Sequence, residues 1–327
     1  MKRLLRNTLS TISYRVIRLM NGAPVGLRIL MYHRVTDVHP TDRLCVPVAR
    51  FAEQMRYLCE AGYHTWTMVQ AVQWIQGAGD KRQETSKVLN SEFGIRSGPE
   101  REDFAFPRPA PINDRRGGRI PHSELSSGEA KKMVVITFDD GFEDNFLFAY
   151  PILQQYGFTG CFFVPSAFIE RGQGAANPSD RPMTWAQLRE LLQAGYEIGA
   201  HSITHRKLTL VADEDMHREV RESKATLERA LERPVRWFCY PAGDYNDAVK
   251  RAVIASGYEG ACTVESGANL TGADPFALTR TEISAVDSLW DFQKKLAGAY
   301  DWMHTLIQRA QGYSGRQYRQ PTNAITT

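Results

Sequence analysis

Residues 131–141 read KKMVVITFDDG, and this segment predicts the architecture of the rest of the chain. Two lysines precede an unbroken apolar and largely β-branched run, which is typical of a strand buried on both faces of a parallel sheet. Asp139 and Asp140 then stand where that strand ends, and Gly141 allows the backbone to turn sharply beside them. Because the chemistry of parallel α/β folds collects at the carboxyl ends of the strands, both acids are candidates for function.

A pair of aspartates also has a purely structural interpretation. Asp is a good N-cap residue, and residues 142–155 are predicted to form a helix. Adjacent residues of an extended chain point in opposite directions, so Asp139 and Asp140 can equally have two different roles. The aspartate pair alone is therefore compatible both with helix capping and with a functional role.

The composition is that of a soluble globular protein. The 327 residues are 43% hydrophobic and 24% charged, which suits one large α/β barrel or two ordinary domains. A net charge of +3 is too small to favour nucleic acid as a partner. The five cysteines are odd in number and lack Cys-x-x-Cys spacing, so neither a disulfide framework nor a cysteine metal site is expected. Cys161 and Cys262 lie in apolar runs and are predicted to be core residues.

Residues 1–24 predict a basic amphipathic helix. Apolar residues recur at helical spacing among lysines and arginines, and the polar residues interrupt any signal-peptide core or membrane span. Such a helix can pack on the domain or make peripheral contact with a membrane surface, and we favour packing. A cytoplasmic or membrane-peripheral location is therefore expected.

Strands and helices alternate through most of the remaining chain, which predicts a parallel sheet closed into a deformed (β/α) barrel over residues 25–303. Strands are predicted over residues 27–35, 64–68, 131–138, 159–164, 196–200, 235–240, 258–263 and 278–283. Helices are predicted over residues 51–61, 70–75, 142–155, 184–193, 213–232, 245–255 and 288–296. Residues 41–47 are predicted to be a loop.

Two segments stand apart from this pattern. Residues 78–130 are rich in charged residues, serine, proline and glycine without any period, which predicts a disordered insertion in the barrel. Residues 304–327 form a polar C-terminal tail. The Gly-x-Gly at residues 172–174 lacks a third glycine and a preceding strand, so a dinucleotide site is not expected.

A second cluster of polar residues, His201-Ser202-Ile203-Thr204-His205, follows the strand predicted over 196–200. Four-residue spacing suits two imidazole ligands of one metal, although two polar loop histidines would look the same. Barrel topology brings His201 and Asp140 to the same rim, because both follow strand ends. One carboxylate and two imidazoles leave room for water, which is the pattern of a catalytic zinc site.

These motifs resemble a known family. The segments TFDDG at 137–141 and HSITH at 201–205 resemble the first two motifs of the polysaccharide deacetylases, the NodB-homology group or carbohydrate esterase family 4. The segment FCYPAG at 238–243 is similar to the third. The segment MYHRV at 31–35 resembles the opening strand of the branch that deacetylates poly-N-acetylglucosamine. The resemblance covers residues 29–302 apart from the insertion, and it implies a deformed (β/α) barrel that removes acetyl groups from an N-acetylated glycan.

The resemblance also implies roles for individual residues. Asp140, His201 and His205 would bind one divalent metal ion, with zinc the first choice and cobalt, nickel or iron as substitutes. Asp139 would be the general base that takes a proton from the attacking water. The backbone N–H of Ala242 would stabilise the oxyanion together with the metal.

The chain departs from the family pattern at two functional positions. The histidine that usually protonates the leaving amine is missing around residues 278–283, so His33 is assigned this role, as in the poly-N-acetylglucosamine branch; a core histidine is the alternative. The arginine that usually orients the base is replaced by Cys239. Arg280, near the end of the last predicted strand, is the candidate to replace it in space.

The same sequence features are compatible with other functions. A non-catalytic carbohydrate-binding protein on the same fold would not need a base beside the metal, and a metal hydrolase of a non-sugar amide or ester would use the same residues. A serine hydrolase is disfavoured because no Gly-x-Ser-x-Gly segment is present. Trp185, Trp237 and Tyr240 could stack on a sugar, although aromatic residues at such positions are more often core.

Overall fold

The structure is a computed structural model that describes residues 10–11, 13–15, 26–77, 132–171 and 180–301. The insertion predicted over 78–130 and the tail predicted over 304–327 lie outside these residues. Most of the helix predicted over 1–24 lies outside them as well.

The described part of the chain contains ten strands, all paired in parallel. In chain order they are β1 (Arg28–Tyr32), β2 (Arg34–Val35), β3 (Cys45–Val46), β4 (His64–Thr65), β5 (Met133–Phe138), β6 (Cys161–Val164), β7 (Glu197–Ala200), β8 (Trp237–Cys239), β9 (Gly260–Cys262) and β10 (Thr281–Glu282). Eight of them form one sheet in the order β10-β1-β5-β6-β7-β8-β9, with β4 paired to β5. The strands β2 and β3 form a separate pair.

The two ends of the sheet approach each other through one segment. Cys262 of β9 forms a parallel bridge with Leu278, and a few residues later Thr281 of β10 pairs with Leu30 of β1. Residues 278–281 therefore connect β9, at one end of the sheet, with β10 and β1 at the other end, and the sheet curls round. The predicted deformed (β/α) barrel is confirmed, and all its strands deliver their carboxyl ends to one rim.

The central strand β5 is buried along its whole length. Val134, Ile136 and Phe138 belong to one hydrophobic cluster, whereas Met133 and Val135 belong to another on the opposite face. Both faces of this strand are thus covered, as its unbroken apolar sequence predicts. Cys161 and Cys262 are fully buried free thiols, which confirms the prediction for them.

Eight α-helices flank the described strands. They are α1 (Val48–Glu60), α2 (Met68–Ile75), α3 (Tyr150–Gln155), α4 (Ser166–Arg171), α5 (Trp185–Gln193), α6 (Asp213–Leu231), α7 (Asp247–Ala255) and α8 (Leu289–Leu296). A capping box formed by Thr184 and Gln187 opens α5, and Thr67 and Ser288 open α2 and α8 in the same way. Short 3₁₀ turns occupy Leu208–Leu210 and Pro241–Gly243.

Two sequence-based predictions need correction. The strand predicted over 27–35 is interrupted at His33, and its second part pairs with β3, which lies in the segment predicted as loop. A two-residue strand gives no alternating pattern that a sequence could reveal. The helix predicted over 142–155 begins with the π-helical turn Asn145–Ala149, and α3 follows it.

The few described residues of the N-terminal segment are helical and contact α8. The rings of Tyr14 and Trp290 meet edge to face with centroids 4.7 Å apart, and Lys294 donates a hydrogen bond to Ser10 Oγ at 3.2 Å. These contacts favour packing on the domain for this part of the segment. Within the described residues, no helix combines the length and apolar character that crossing a bilayer requires.

Candidate metal centre and active site

Asp140, His201 and His205 converge at the rim of the sheet. Asp140 follows β5 and His201 follows β7, and these strands flank β6. Asp140 Oδ1 lies 3.6 Å from His201 Nε2 and 3.3 Å from His205 Nε2. One ligand atom from each residue falls within 4.8 Å of the others, as expected for ligands of one ion.

The donor set fits a divalent metal ion. Asp140 Oδ1 is buried and has no hydrogen-bond partner among the described residues, although it faces two imidazole nitrogens. His201 Nδ1 lies 2.7 Å from the carbonyl oxygen of Cys239. Since a carbonyl only accepts, Nδ1 carries the proton and Nε2 presents its lone pair to Asp140. Burial outweighs the two nearby aspartates and lowers the pKa of His201 to about 4, so the ring is neutral, as a metal ligand must be.

The backbone around these ligands is unusually strained. Asp140, Ser202 and His205 have φ values of 70°, 61° and 60°, in the left-handed region that residues with a Cβ seldom adopt. Gly141 follows with φ of 67°, and a Cβ there would come within 2.7 Å of Val164 Cγ1. The turn after β5 therefore needs this glycine, and it aims Asp140 along the rim.

Asp139 has a different main partner, Arg280, although one of its oxygens also lies within 4.8 Å of a ring nitrogen of His201. Its two oxygens accept hydrogen bonds of 2.7 Å each from Nη1 and Nη2 of Arg280, and both side chains are buried. Arg280 also donates from Nε to the carbonyl of Thr263 at 2.8 Å and from Nη1 to Thr137 Oγ1 at 3.2 Å. Burial alone would raise the pKa of Asp139, but the guanidinium outweighs it and holds that pKa well below its usual range.

Cys239 contacts both the Asp139–Arg280 pair and the metal-ligand residue His201. Its Sγ accepts a hydrogen bond from Arg280 Nη2 at 3.1 Å and lies 3.6 Å from Asp139 Oδ2. Its carbonyl oxygen, as described above, receives the Nδ1 proton of His201. The structure therefore places Arg280 against Asp139, in the position that the sequence suggested for it. The carbonyl contact of Cys239 was missed, because a backbone atom leaves no trace in the residue type.

His33 lies at the break between β1 and β2 and is half-buried. Its Nδ1 is buried and lacks a hydrogen-bond partner among the described residues, while its carbonyl accepts from Asn145 Nδ2 at 2.8 Å. Asp144 accepts from Arg34 Nε at 2.7 Å and from the backbone N–H of Val35 at 3.4 Å. Asp144 and Asn145, at the start of the π-helical turn, therefore fix the backbone between β1 and β2. Such turns occur frequently at functional sites. Sequence reasoning missed Asp144 and Asn145.

Ala242 lies in the 3₁₀ turn after β8, at the same end of the sheet as Asp139 and His201. It is exposed and has φ of 54°. The next residue, Gly243, has φ of 68°, and a Cβ on it would come within 2.3 Å of Val264 Cγ2. Among the three aromatic residues considered for sugar stacking, Trp237 and Tyr240 are buried core residues, whereas Trp185 is partly exposed.

Comparison with known proteins agrees with this geometry. Residues 126–261 match the family model described as Polysaccharide deacetylase. This segment includes Asp139, Asp140, His201 and His205, and over it the chain is similar to the polysaccharide deacetylases. The polysaccharide deacetylase homologue YxkH of Bacillus subtilis is 26% identical over 261 residues, which cover 80% of this chain and 72% of that protein. The peptidoglycan-N-acetylglucosamine deacetylase of Bacillus cereus is 28% identical over 130 residues, which cover 39% of this chain and 55% of the relative.

A solved deacetylase structure has the same fold. The Streptococcus pyogenes deacetylase PplD, solved in complex with acetate, superposes with a TM-score of 0.59 at 22% identity. The superposition covers 84% of this chain and 99% of that chain. The predicted fold and the predicted resemblance to the polysaccharide deacetylases, a family of amide hydrolases, are therefore confirmed. The roles of individual residues stay predictions.

Proposed function

We propose that this deacetylase removes N-acetyl groups from a glycan with the help of one divalent ion, zinc being the first choice, bound by Asp140, His201 and His205. The observation that carries this proposal is the buried Asp140 Oδ1, which lacks a hydrogen-bond partner among the described residues and faces Nε2 of both histidines. Two imidazoles and one carboxylate are a common ligand set for catalytic zinc. Cobalt, nickel or iron would suit the same ligands.

A bound divalent ion would lower the pKa of water towards roughly 7 and polarise the acetamide carbonyl. Asp139 then takes the proton of the attacking water. Arg280 occupies one lone pair on each carboxylate oxygen, and each oxygen retains a second lone pair that can accept this proton. Arg280 thereby fixes the orientation of the base and keeps it ionised.

Two further groups complete the reaction. Attack of the water oxygen on the acetamide carbon places negative charge on the carbonyl oxygen, and the backbone N–H of Ala242 donates to that oxygen. The carbon–nitrogen bond then breaks, acetate departs, and His33 supplies the proton that the leaving amine needs. The Nδ1 of His33 has no hydrogen-bond partner within the part of the chain that the structure describes, and Asn145 supports its backbone. Both observations favour this role over that of an ordinary core histidine.

We infer that the substrate contains N-acetylglucosamine, because the Bacillus cereus relative is named for that sugar. An N-acetylated glycan also suits a site whose residues reach solvent, since Ala242 is exposed and His205 and Asp140 are partly exposed. The small net charge gives no reason to add nucleic acid as a partner.

The test is acetate release from a panel of N-acetylated oligosaccharides, with and without a chelator and with zinc added back. A simple acetamide without a sugar and an acetyl ester belong in the same panel. We expect release from the glycans alone, loss of activity with chelator and recovery with zinc. Full activity in metal-stripped protein would contradict the metal centre, and preference for the simple amide or the ester would contradict the substrate class.

A further inference from the structure

We propose that Glu219 is a positioning residue that holds the loop between His201 and His205 in the shape that metal binding requires. The inference rests on the metal centre of the proposed function. Glu219 belongs to α6, whose sequence is highly charged, and yet this side chain is only 3% exposed. A carboxylate is seldom buried unless it is paired or fully hydrogen-bonded.

The partners of Glu219 all lie between the two histidines. Its Oε2 accepts from the backbone N–H of Ile203 at 2.8 Å and from that of Thr204 at 2.9 Å. Its Oε1 accepts from the hydroxyl of Thr204. The Glu219 carboxylate thus accepts hydrogen bonds from three donors in the three residues that connect the histidines. Hydrogen bonds to an ionised acceptor are stronger than those between neutral groups.

Further polar groups of the loop are held by α4 and by the loop itself. The carbonyls of Ser202 and Ile203 accept from the backbone N–H groups of Ser166 and Ala167, which begin α4, at 3.2 and 3.0 Å. Ser202 Oγ accepts from the N–H of His205 at 3.0 Å. The loop is therefore clamped between two helices, with α4 holding its carbonyls and Glu219 holding its amides.

The loop needs such a clamp because its conformation is unfavourable by itself. Ser202 and His205 both have left-handed φ values, which persist only where the surroundings enforce them. Without Glu219 the amides of Ile203 and Thr204 would be left without an acceptor, and the loop would relax. His205 Nε2 would then move away from Asp140, while His201, anchored by Val164 and Cys239, would stay.

Glu228 offers a matched control on the same helix. Its Oε1 accepts from the backbone N–H of Val235 at 3.0 Å and pairs with Lys224, so it also ties a loop amide to α6. That loop carries no proposed ligand. Removing either glutamate should cost stability, but only Glu219 should affect the metal centre.

The experiment is a zinc titration of the metal-free protein against a competing chromophoric chelator, with thermal unfolding of the same samples. We expect Glu219→Ala to weaken zinc binding by about 10- to 100-fold, the usual effect of losing a group that orients a metal ligand. Glu228→Ala should keep the wild-type affinity. Glu219→Gln should be intermediate, because the amide keeps one acceptor oxygen but loses the charge.

Wild-type affinity in a folded Glu219→Ala protein, or an equal loss in Glu228→Ala, would overturn the inference. If Glu219→Ala does not fold, Glu219→Gln decides, and unchanged zinc affinity in that variant would overturn the inference equally. If the wild-type protein binds no zinc, the proposed metal centre is wrong, and the role of Glu219 that rests on it is wrong as well.

Discussion

Asp139 and Asp140 are neighbours with the same side chain, but the fold gives them opposite surroundings. Asp139 is only 2% exposed, and both of its oxygens are paired with Arg280. The Asp140 side chain is 18% exposed, and its Oδ1 faces the neutral ring of His201 and the ring of His205 without a hydrogen-bond partner among the described residues. The environment, and not the residue type, therefore distinguishes the two carboxylates, and on this difference we propose Asp139 as the base and Asp140 as a metal ligand.

The backbone explains how two adjacent residues separate in this way. The N–H of Asp139 still donates to the carbonyl of Tyr32 at 2.9 Å, so this residue continues the pairing of β5 with β1. At Asp140 the chain turns into the left-handed region, and Gly141 completes the turn. One carboxylate is therefore buried against Arg280, and the next meets the rings of His201 and His205.

The largest effect is expected from breaking the ion pair of Asp139. Arg280→Leu leaves a buried carboxylate without its partner, which typically costs about 3–5 kcal/mol of unfolding free energy. Arg43→Leu is the control, since Arg43 pairs with Glu282 at the surface, where such pairs contribute about 0–1 kcal/mol. Urea denaturation measures both. Equal losses in the two variants would show that the buried pair has no special importance.

A second variant sharpens this test. Replacing Asp139 and Arg280 together by leucine removes both charges, and such replacements are often close to neutral for stability. The double variant should therefore be more stable than Arg280→Leu and should have no deacetylase activity. If it were as unstable as Arg280→Leu, the cost would come from packing and not from the unpaired charge.

His33→Ala tests whether proton delivery is separate from the metal ligands. This variant should keep the wild-type zinc content and lose about 10²- to 10⁴-fold in kcat, the range of a lost general acid. His64→Ala, at an exposed histidine of β4, is the control and should leave both quantities unchanged. Wild-type turnover in His33→Ala would return His33 to the role of a core residue.

Cys239→Ala should produce the smallest effect. The substitution removes the sulfur that contacts Asp139 and Arg280, and we expect a stability loss of about 0.5–1.5 kcal/mol with a modest fall in turnover. Zinc affinity should not change, because His201 bonds to the backbone carbonyl of this residue. Cys262→Ala, equally buried on β9, controls for the loss of a thiol from the core. A large loss of zinc affinity in Cys239→Ala would show that the Asp139–Arg280 pair and the metal ligands depend on each other.

The features of the fold and the site that the sequence predicts have local causes. The apolar run before Asp139 predicts a doubly buried strand, and a polar pair at the strand end together with His201 and His205 predicts one rim. Arg280 could be named only as a candidate, because its contact with Asp139 spans 141 positions of the chain. The barrel topology creates that contact, and no spacing rule describes it.

Other features could not be predicted because their signal resembles that of ordinary sequence. Glu219 lies among charged residues of an amphipathic helix, where a solvated position is the natural expectation. Asn145 lies near the start of a predicted helix, and nothing in its neighbours indicates a π-helical turn that reaches His33. Both act through backbone atoms of distant residues, which become neighbours only after folding.

The central claim is that Asp140 binds the metal and Asp139 acts as the base, and the most direct test compares Asp139→Asn with Asp140→Asn. Zinc content and affinity are measured beside acetate release for each variant and the wild type. We predict that Asp139→Asn keeps its zinc and loses about 10²- to 10⁴-fold in rate, and that Asp140→Asn loses zinc affinity together with activity. Loss of zinc from Asp139→Asn with retention in Asp140→Asn would contradict the account.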